Sequence, residues 1–369
     1  MLRVLKFVMA FCAVGLLADL ASAQTKIIYA NYITPKHPTN RVLEKFFADV
    51  TKDTNGSVQF EYHFAATLLG GKEIPSGVRD GIADSGYFVG AYVPSEMPVD
   101  NYIGNFGLFS EDPLVMSAVN AELVLLRCPQ CQDEYKKFNS YFFATYALTP
   151  YLLQCKKPVK SLADMKGLKV RGIGPWADLL RAIGATPFNV SSNELYEAVD
   201  RGTLDCATGP LNWQKVNSLG EVAKNVVTEP LGSFLGGATF AMRIDKWKSL
   251  KPNEQASILR HSADIVSGAT FNYIDEDIAV RKEYEPKGTK FYPADKDLHD
   301  AIKKFQQDYS DKIAEEGRKR GVKDPQTIAK TVFELKAKWE KLIAARKDWD
   351  RDSYSKLLWD EVYSKVKYE

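Results

Sequence analysis

The most enzyme-like pattern in the sequence is the run from Gly172 to Ala177 (GIGPWA), in which two glycines follow a predicted strand and open a predicted helix. A dinucleotide fingerprint has this context, because glycine lets the backbone approach a pyrophosphate at the helix N-terminus. Glu194 and Glu197 follow at about the 20-residue spacing of a ribose-binding carboxylate. Lone glycine motifs recur by chance, however, and Pro175 suits the first turn of any helix. We therefore favour a structural turn over a nucleotide site.

Other side chains that could catalyse a reaction or hold a metal ion are scattered. No two histidines have the i,i+4 spacing of a metal site, and the sequence contains neither a G-x-S-x-G elbow nor a P-loop. The acidic run Asp275–Asp277 falls on a predicted helix, where such runs usually form a solvated face. The sequence therefore predicts no catalytic residue, no metal site and no cofactor.

The first 23 residues have the features of a cleaved signal peptide. Arg3 and Lys6 precede an apolar run from Phe7 to Leu20, and the small residues Ala21-Ser22-Ala23 complete the cleavage pattern. The apolar run is short for a membrane-spanning helix. We expect a periplasmic protein whose mature chain starts near Gln24.

Export changes how the cysteines are interpreted. An even number outside the signal peptide, in an oxidising compartment, favours disulfide bonds. Three pairings of Cys128, Cys131, Cys155 and Cys206 are possible, and we prefer Cys155 with Cys206, which leaves Cys128 with Cys131. The C-x-x-C spacing of Cys128 and Cys131 also occurs in redox motifs, but no thioredoxin-like strand precedes it.

Length and charge point to a two-lobed protein without nucleic-acid partners. The chain has 369 residues, long for one core, and its 49 basic and 47 acidic residues are mixed along the sequence. Two stretches alternate strand and helix, which predicts a doubly wound parallel sheet in each. The predicted strands are 26–32, 58–64 and 83–89 in the first stretch, and 142–154, 168–171 and 204–207 in the second.

The last third of the sequence is helical. A helix of about 30 residues, from Asn253 to about Lys282, is long enough to run across both lobes. Helices at 296–320, 325–345 and 353–367 follow. The last two helices carry an apolar stripe that includes Val332, Leu335 and Trp339. Such a stripe either packs on the body or mediates dimerisation, and we favour packing. The chain is thus expected to be a monomer, or a dimer through these helices.

Two long blocks resemble the solute-binding proteins of TRAP (tripartite ATP-independent periplasmic) transporters. They are KSLADMKGLKVRG at 160–172 and AIGATPFNVSSNELYEAVDRGTLDCATGPL at 182–211. His37-Pro38, the stretch Leu69–Glu73 and GVRDGIADSG at 77–86 fit as well. The resemblance covers about residues 26–320 and implies the α/β periplasmic binding protein fold. In this fold two lobes, each a doubly wound sheet flanked by helices, close over a ligand.

The resemblance also implies the division of the chain. Residues 24–148 and 235–280 form lobe I, residues 149–234 and 281–322 form lobe II, and residues 323–369 form a C-terminal helical extension. The resemblance further implies that Arg171, the arginine that ends the LADMKGLKVR strand, binds the ligand carboxylate. A planar guanidinium suits this role because it offers a bidentate fork.

The sequence departs from the family pattern at three binding positions. Tyr151 replaces a second arginine, Gly209 replaces a ligand asparagine, and Val89 replaces an acid. One clear cation and an aromatic cleft remain, with the segment at Gly209 offering backbone amides. The expected wall residues are Tyr87, Phe88, Tyr151, Trp176, Trp213 and Phe234.

These departures favour a monocarboxylate with an apolar or aromatic body as the ligand. The family resemblance names the membrane subunits of a TRAP transporter as partners, and no metal is expected because no acidic ligand lies near Trp213. Two alternatives stay open. One is an exported enzyme on a similar scaffold, and the other is a ligand sensor that feeds a receptor kinase.

Overall fold

The computed structural model describes residues 24–368, so the predicted signal peptide at 1–23 lies outside the described residues. Two mixed sheets and a short two-stranded sheet form the α/β framework. Within the described residues, no helix combines the length and apolar character needed to cross a membrane.

The first sheet has five strands in the order β2-β1-β3-β12-β4. Their bounds are β1 Thr25–Ala30, β2 Val58–His63, β3 Ser85–Phe88, β4 Ser140–Ala144 and β12 Ala238–Arg243. Strand β1 pairs in parallel with β2 and β3, as the βαβαβ pattern predicts, but β12 is antiparallel to both β3 and β4. The sheet is therefore mixed, because β12 enters only after the chain has returned from the second sheet.

The second sheet has six strands in the order β13-β10-β6-β9-β7-β8. Their bounds are β6 Leu152–Cys155, β7 Lys169–Arg171, β8 Thr186–Phe188, β9 Cys206–Gly209, β10 Asn225–Val227 and β13 Lys290–Tyr292. Strand β7 lies between β8 and β9 and is parallel to both, whereas β6 is antiparallel to β9 and β10. The second sheet is therefore also mixed, because β6 runs antiparallel to both of its neighbours.

A two-stranded sheet of β5 (Ala147–Pro150) and β11 (Ser233–Leu235) connects the two large sheets. The prediction of one strand over 142–154 was wrong. The chain instead breaks twice, near Tyr146 and at Tyr151, and contributes β4, β5 and β6 to three different sheets. Hydrophobicity along the sequence does not reveal these breaks, because all three strands are mainly apolar and buried and so form one continuous apolar run.

Helices cover both large sheets. Their bounds are α1 Pro38–Asp53, α2 Ile74–Arg79, α3 Pro98–Gly104, α4 Pro113–Glu122, α5 Pro129–Lys137, α6 Leu162–Met165, α7 Pro175–Ala182, α8 Leu195–Asp200, α9 Trp213–Val216, α10 Leu219–Val222 and α11 Ile244–Ser249. The C-terminal helices are α12 Pro252–Tyr284, α13 Lys296–Lys319, α14 Pro325–Ala344 and α15 Arg351–Glu361. Proline occupies the first turn of many of them, where its missing N–H costs nothing.

Helix α12 has 33 residues and passes both large sheets, as the sequence predicts. Gly268 lets it approach α1 closely, since a Cβ there would lie 2.9 Å from the Val42 side chain. Near its C-terminal end, Val280 packs with Leu211 and Val226 of the second half of the chain. The long helix therefore forms a common support for both lobes.

The C-terminal helices α14 and α15 pack on the body. Val332, Leu335 and Trp339 of the apolar stripe are buried. The Trp339 indole Nε1 donates a hydrogen bond to Glu122 Oε2 at 2.8 Å, and the Tyr363 hydroxyl donates to the Phe143 carbonyl at 2.9 Å. The apolar stripe was the basis for predicting a possible dimer. These three side chains of the stripe are covered by other parts of the same chain.

Candidate functional site

A cavity lies between the two large sheets and is almost closed. Its volume is about 20 Å³, room for roughly one water molecule. The lining is mainly aromatic, and both halves of the chain contribute to it. The lining residues are Tyr32, Ile33, His37, Tyr87, Tyr92, Tyr146, Leu148, Tyr151, Arg171, Ile173, Ser192, Trp213, Phe234 and Tyr273.

Hydrogen bonds across the rim hold the two halves together. The backbone N–H of Ser192 donates to the Tyr92 hydroxyl at 3.1 Å, and the Asn189 side-chain amide donates to the Ala91 carbonyl at 3.1 Å. Tyr92 and Ala91 follow β3 of the first sheet, whereas Asn189 and Ser192 follow β8 of the second. These two bonds bridge the first and second sheets directly at the rim of the cavity.

Arg171 ends β7, between two parallel neighbours, and is 1% exposed. Its Nε donates to the Val190 carbonyl at 3.1 Å and one terminal nitrogen donates to the Thr208 carbonyl at 3.0 Å. No aspartate or glutamate within residues 24–368 forms a salt bridge with it. The guanidinium is therefore a buried cation held by neutral carbonyls, with N–H donors left for an anion.

Aromatic rings surround this cation. The guanidinium carbon lies 5.1 Å from the centre of the Trp213 ring and 5.8 Å from the Tyr151 ring, within cation–π range. Phe234 stacks on Tyr151 at 5.9 Å with an interplanar angle of 12°. Burial raises the pKa of Tyr151, although Arg171 opposes this shift, so the phenol keeps its proton. A planar apolar body would find matching ring faces here.

The structure brings five of the eight predicted ligand-binding residues to the cavity surface. These are Tyr87, Tyr151, Arg171, Trp213 and Phe234. The other three expected residues lie elsewhere.

Phe88 does not line the cavity, contrary to the prediction. It follows Tyr87 in β3, and successive residues of a strand point to opposite faces. Its ring packs instead against Tyr135 and Phe138, with centroids 6.0 and 6.2 Å away. Phe88 therefore belongs to the core behind the sheet.

Trp176 and Gly209 support the wall from behind. The Trp176 ring lies 4.6 Å from the Tyr151 ring, and its indole N–H donates to the Leu231 carbonyl at 2.7 Å. A Cβ on Gly209 would lie 2.1 Å from the Trp213 ring, so only glycine allows this packing. The Gly209 carbonyl accepts from Gln154, which makes the residue part of the internal scaffold.

A group of phenols and one histidine, which no sequence pattern indicated, lies on the first-sheet side of the cavity. Tyr87 donates a hydrogen bond from its hydroxyl to that of Tyr146 at 3.1 Å, and His37 Nε2 lies 2.7 Å from the Tyr273 hydroxyl. His37 and Tyr273 are 236 residues apart, so no local pattern joins them. The His37-Pro38 pair was the single available signal, and it indicated the family rather than a contact.

Asp277 is a second residue whose contacts could not be predicted from the sequence. Its carboxylate accepts from the Thr149 hydroxyl and from the Asn212 backbone N–H at 2.7 Å. Burial raises its pKa to about 6. The expectation of a wholly solvated acidic face was therefore wrong at this position, where the carboxylate ties α12 to β5 and to Asn212 of the second half of the chain.

The disulfides have the pairing that the sequence favoured. Cys155 is bonded to Cys206 and Cys128 to Cys131. Cys155 and Cys206 lie opposite each other on β6 and β9. Because β9 pairs with β7, this bond braces the strand next to Arg171. Among residues 24–368, no group of three histidine, cysteine or acidic side chains is arranged to hold a metal ion.

Comparison with known proteins identifies the family. The sequence model of the family described as "Bacterial extracellular solute-binding protein, family 7" matches residues 29–316. The chain belongs to this family of solute-binding proteins. A curated relative, a solute-binding protein of Albidiferax ferrireducens, is 24% identical over 304 residues, which are 80% of this chain and 88% of the relative.

Solved structures share the fold of this family 7 protein. A TRAP solute-binding protein from Rhodoferax ferrireducens, in complex with copurified benzoate, has a TM-score of 0.74 at 22% identity, over 86% of this chain and 99% of the other. A marine metagenome TRAP solute-binding protein specific for aromatic acid ligands, in complex with 3-hydroxybenzoate, has a TM-score of 0.75 at 20% identity, over 86% and 99%. Both likenesses establish the two-lobed α/β fold.

Proposed function

We propose that this protein captures a small monocarboxylate with an aromatic or apolar body in the periplasm and delivers it to the membrane subunits of a TRAP transporter. One observation carries the proposal. Arg171 is buried in an interlobe cavity without a carboxylate partner among the described residues. A buried cation is costly unless it is paired, and an anionic ligand supplies the missing partner.

The geometry of the donors favours a carboxylate. Two carbonyls, those of Val190 and Thr208, fix the guanidinium through its Nε and one terminal nitrogen. The remaining N–H groups of Arg171 can donate to two oxygens of one planar anion. Few of the side-chain rotations of Arg171 are lost on binding, because the protein already holds it in place.

The lining favours one negative charge over two. Among the described lining residues, Arg171 is the one permanently charged side chain, since burial lowers the pKa of His37 to about 3. A dicarboxylate would bury its second charge against rings, at a cost of several kcal/mol. The ring faces of Trp213, Tyr151 and Phe234 suit a flat apolar body instead. The benzoate and 3-hydroxybenzoate held by the two structural relatives have this chemistry.

Entry and release require the lobes to move. A cavity of about 20 Å³ cannot admit such an acid while the rim hydrogen bonds are formed. We assign residues 24–148 and 235–280 to one lobe and residues 149–234 and 281–322 to the other. Hinge rotation at β5 and β11 would open the cavity, and closure over the ligand would create the surface that the membrane subunits recognise.

Thermal unfolding with a panel of acids tests the proposal. Benzoate or phenylacetate at about 100 times its Kd should stabilise the native protein by about 2.7 kcal/mol. The stabilisation should vanish in Arg171→Ala and persist in Arg201→Ala, because Arg201 is an exposed arginine that pairs with Glu197. An equal thermal shift in Arg171→Ala, or tighter binding of succinate than of every monocarboxylate, would refute the proposal.

Native mass spectrometry of the protein as purified gives an independent test. A closed cleft releases its ligand slowly, so a copurified acid should appear as a mass increment that is absent from Arg171→Ala. Unchanged acid after prolonged incubation would agree with a receptor, whereas conversion to a product would favour the enzyme alternative.

A further inference from the structure

The segment Gly90–Tyr92, one turn of 3₁₀ helix that follows β3, supplies both acceptors of the rim hydrogen bonds. The Ala91 carbonyl accepts from the Asn189 side chain, and the Tyr92 hydroxyl accepts from the backbone N–H of Ser192, each at 3.1 Å. Tyr92 also lines the cavity. We call residues Gly90–Tyr92 the rim turn. Its position determines whether these two bonds can join the two sides of the cavity.

The rim turn has few bonds of its own to hold it in place. The Tyr92 N–H donates to the Val89 carbonyl at 3.0 Å, and a second bond of the same length, from Val93, closes the turn at Gly90. Bonds of this i→i+3 type have poorer geometry than those of an α-helix. Val89, the N-cap residue, has an apolar side chain and forms no capping hydrogen bond. The rim turn therefore depends on contacts with another element.

Asp100, in the first turn of α3, supplies that contact. Its Oδ2 accepts a hydrogen bond from the Gly90 N–H at 2.8 Å, and its Oδ1 accepts from the Tyr135 hydroxyl at 2.6 Å. The approach is close, since a Cβ on Gly90 would lie 2.5 Å from Asp100 Oδ2 and 3.0 Å from the Asn101 backbone nitrogen. Glycine therefore permits the contact, and the Asp100 carboxylate fixes the N–H at which the rim turn begins.

Asp100 is itself held from helix α5. The two Glu134 oxygens accept from the backbone N–H groups of Val99 and Asp100, at 2.8 and 2.7 Å. Tyr135, the next residue of α5, donates to the Asp100 carboxylate. A side chain fixed in this way gives the rim turn a rigid attachment to the body of the protein. Asp100 is not among the described lining residues of the cavity, so it acts on a ligand through the rim turn.

We propose that Asp100 is a positioning residue that prolongs the residence of the bound acid. Its carboxylate holds the rim turn, so that Ala91 and Tyr92 accept the bonds from the opposite rim without first having to be ordered. These bonds must break before the cavity opens, whereas they are not yet formed when an acid enters. Loss of Asp100 therefore accelerates release and leaves capture almost unchanged. This inference rests on the proposed function and adds to it the control of release.

Stopped-flow measurements with benzoate and phenylacetate test the inference through the dissociation rate constant. Asp100→Ala should raise this constant about 5- to 30-fold, the equivalent of one or two neutral hydrogen bonds. The association rate constant should stay within about twofold of the native value. Asp100→Asn should restore slow release to within about twofold, because the asparagine oxygen can accept from Gly90 while its amide donates to the Tyr135 hydroxyl oxygen.

Asp84→Ala is the matched control for a loss of stability. Asp84 is also an aspartate whose carboxylate accepts a backbone N–H, that of Ile28 at 2.9 Å, and it is not among the described lining residues. Its removal should lower the free energy of unfolding in urea about as much as Asp100→Ala does, yet leave the dissociation rate constant within about twofold of the native value. A role of Asp100 limited to stability predicts the same release rate for both variants.

Asn189→Ala tests the rim turn from the opposite side, because it removes the bond to the Ala91 carbonyl. Release should accelerate about 2- to 12-fold, the range for one neutral hydrogen bond. Added to Asp100→Ala, it should accelerate release less than about twofold further, since the displaced turn no longer offers this acceptor. Asn189 is exposed, so this variant keeps the inference open to refutation even if Asp100→Ala does not fold.

The outcomes separate the inference from the proposed function. The inference is wrong if Asp100→Ala or Asn189→Ala releases the acid at the native rate. It is also wrong if Asp84→Ala or Asp100→Asn accelerates release as much as Asp100→Ala. Absence of binding by the native protein refutes both the inference and the proposed function, whereas binding that survives in Arg171→Ala refutes the proposed function alone.

Discussion

The guanidinium of Arg171 lies 5.1 Å from the centre of the Trp213 ring, and Gly209 packs so closely behind that ring that a Cβ would lie 2.1 Å from it. The cation, the ring and the glycine thus form one packed layer of the second lobe. Arginine suits this layer because its planar, delocalised charge can stack on a ring and still donate at its edge. The position of the cation is therefore set by packing as well as by hydrogen bonds.

Replacing Arg171 with lysine should weaken acid binding although the charge is kept. An ammonium group is a compact point charge that cannot donate in a bidentate fork or keep both carbonyl contacts to Val190 and Thr208. We expect Kd for benzoate to rise about 10- to 100-fold, the range for one charge-assisted hydrogen bond. Isothermal titration calorimetry measures this change. An affinity within twofold of the native value would show that charge alone suffices.

Gly209→Ala should reduce ligand affinity by displacing the Trp213 ring from the cation. Overpacking of this kind costs about 1–3 kcal/mol in stability, and the displaced ring should lower affinity as well. Gly104→Ala is the matched control, because Gly104 lies in a helix and a Cβ added there meets no atom within 4 Å. Chemical unfolding and calorimetric titration of both variants provide the comparison. Equal behaviour of the two variants would contradict the packing argument.

The two disulfides should contribute unequally to stability. In the loop-entropy account, the Cys155–Cys206 bond, with a sequence separation of 51, stabilises by about 4 kcal/mol. The Cys128–Cys131 bond, with a separation of 3, stabilises by about 2 kcal/mol. Urea unfolding of the two double-alanine variants measures the difference. A larger loss from removal of the short loop would argue against this account.

Glu134 should make the protein less stable as pH rises from about 4.5 to 7. Its carboxylate accepts the backbone N–H groups of Val99 and Asp100, at 2.8 and 2.7 Å, but burial raises its pKa to about 7. In this window the folded state holds a proton that the unfolded state has released. This contribution to stability is therefore lost as pH rises, by about 3 kcal/mol, and stays level above pH 7.

Unfolding free energies at several pH values test this assignment. Glu134→Gln should reduce the slope between pH 4.5 and 7, whatever its effect on absolute stability, and leave the contribution of Asp277, whose pKa burial raises to about 6. Asp133→Asn serves as a control on the same helix, because the Asp133 side chain is 65% exposed. A slope in Glu134→Gln equal to that of the native protein would place its origin in another group.

Helical periodicity was sufficient for the long helix, and the family resemblance was sufficient to single out the main cation. The LADMKGLKVR block located Arg171, and the helical pattern located α12 with bounds within about two residues. The preferred disulfide pairing, Cys155 with Cys206, was also confirmed. Helix α12 could be predicted because its pattern depends on neighbours in the chain, and Arg171 because it lies in a block that resembles the family. The disulfide pairing could be predicted because four cysteines allow only three pairings.

The remaining features depend on contacts between distant segments. Period-two alternation separates Tyr87 from Phe88, but it does not say which of the two faces the cavity, and the prediction included both. The partners His37 and Tyr273 come from elements 236 residues apart. Sequence by itself therefore determined the composition of the site, an arginine among aromatic residues. Only the tertiary structure decided which rings surround the ligand and how their hydroxyls connect, because hydrogen bonds act over about 3 Å whatever the separation along the chain.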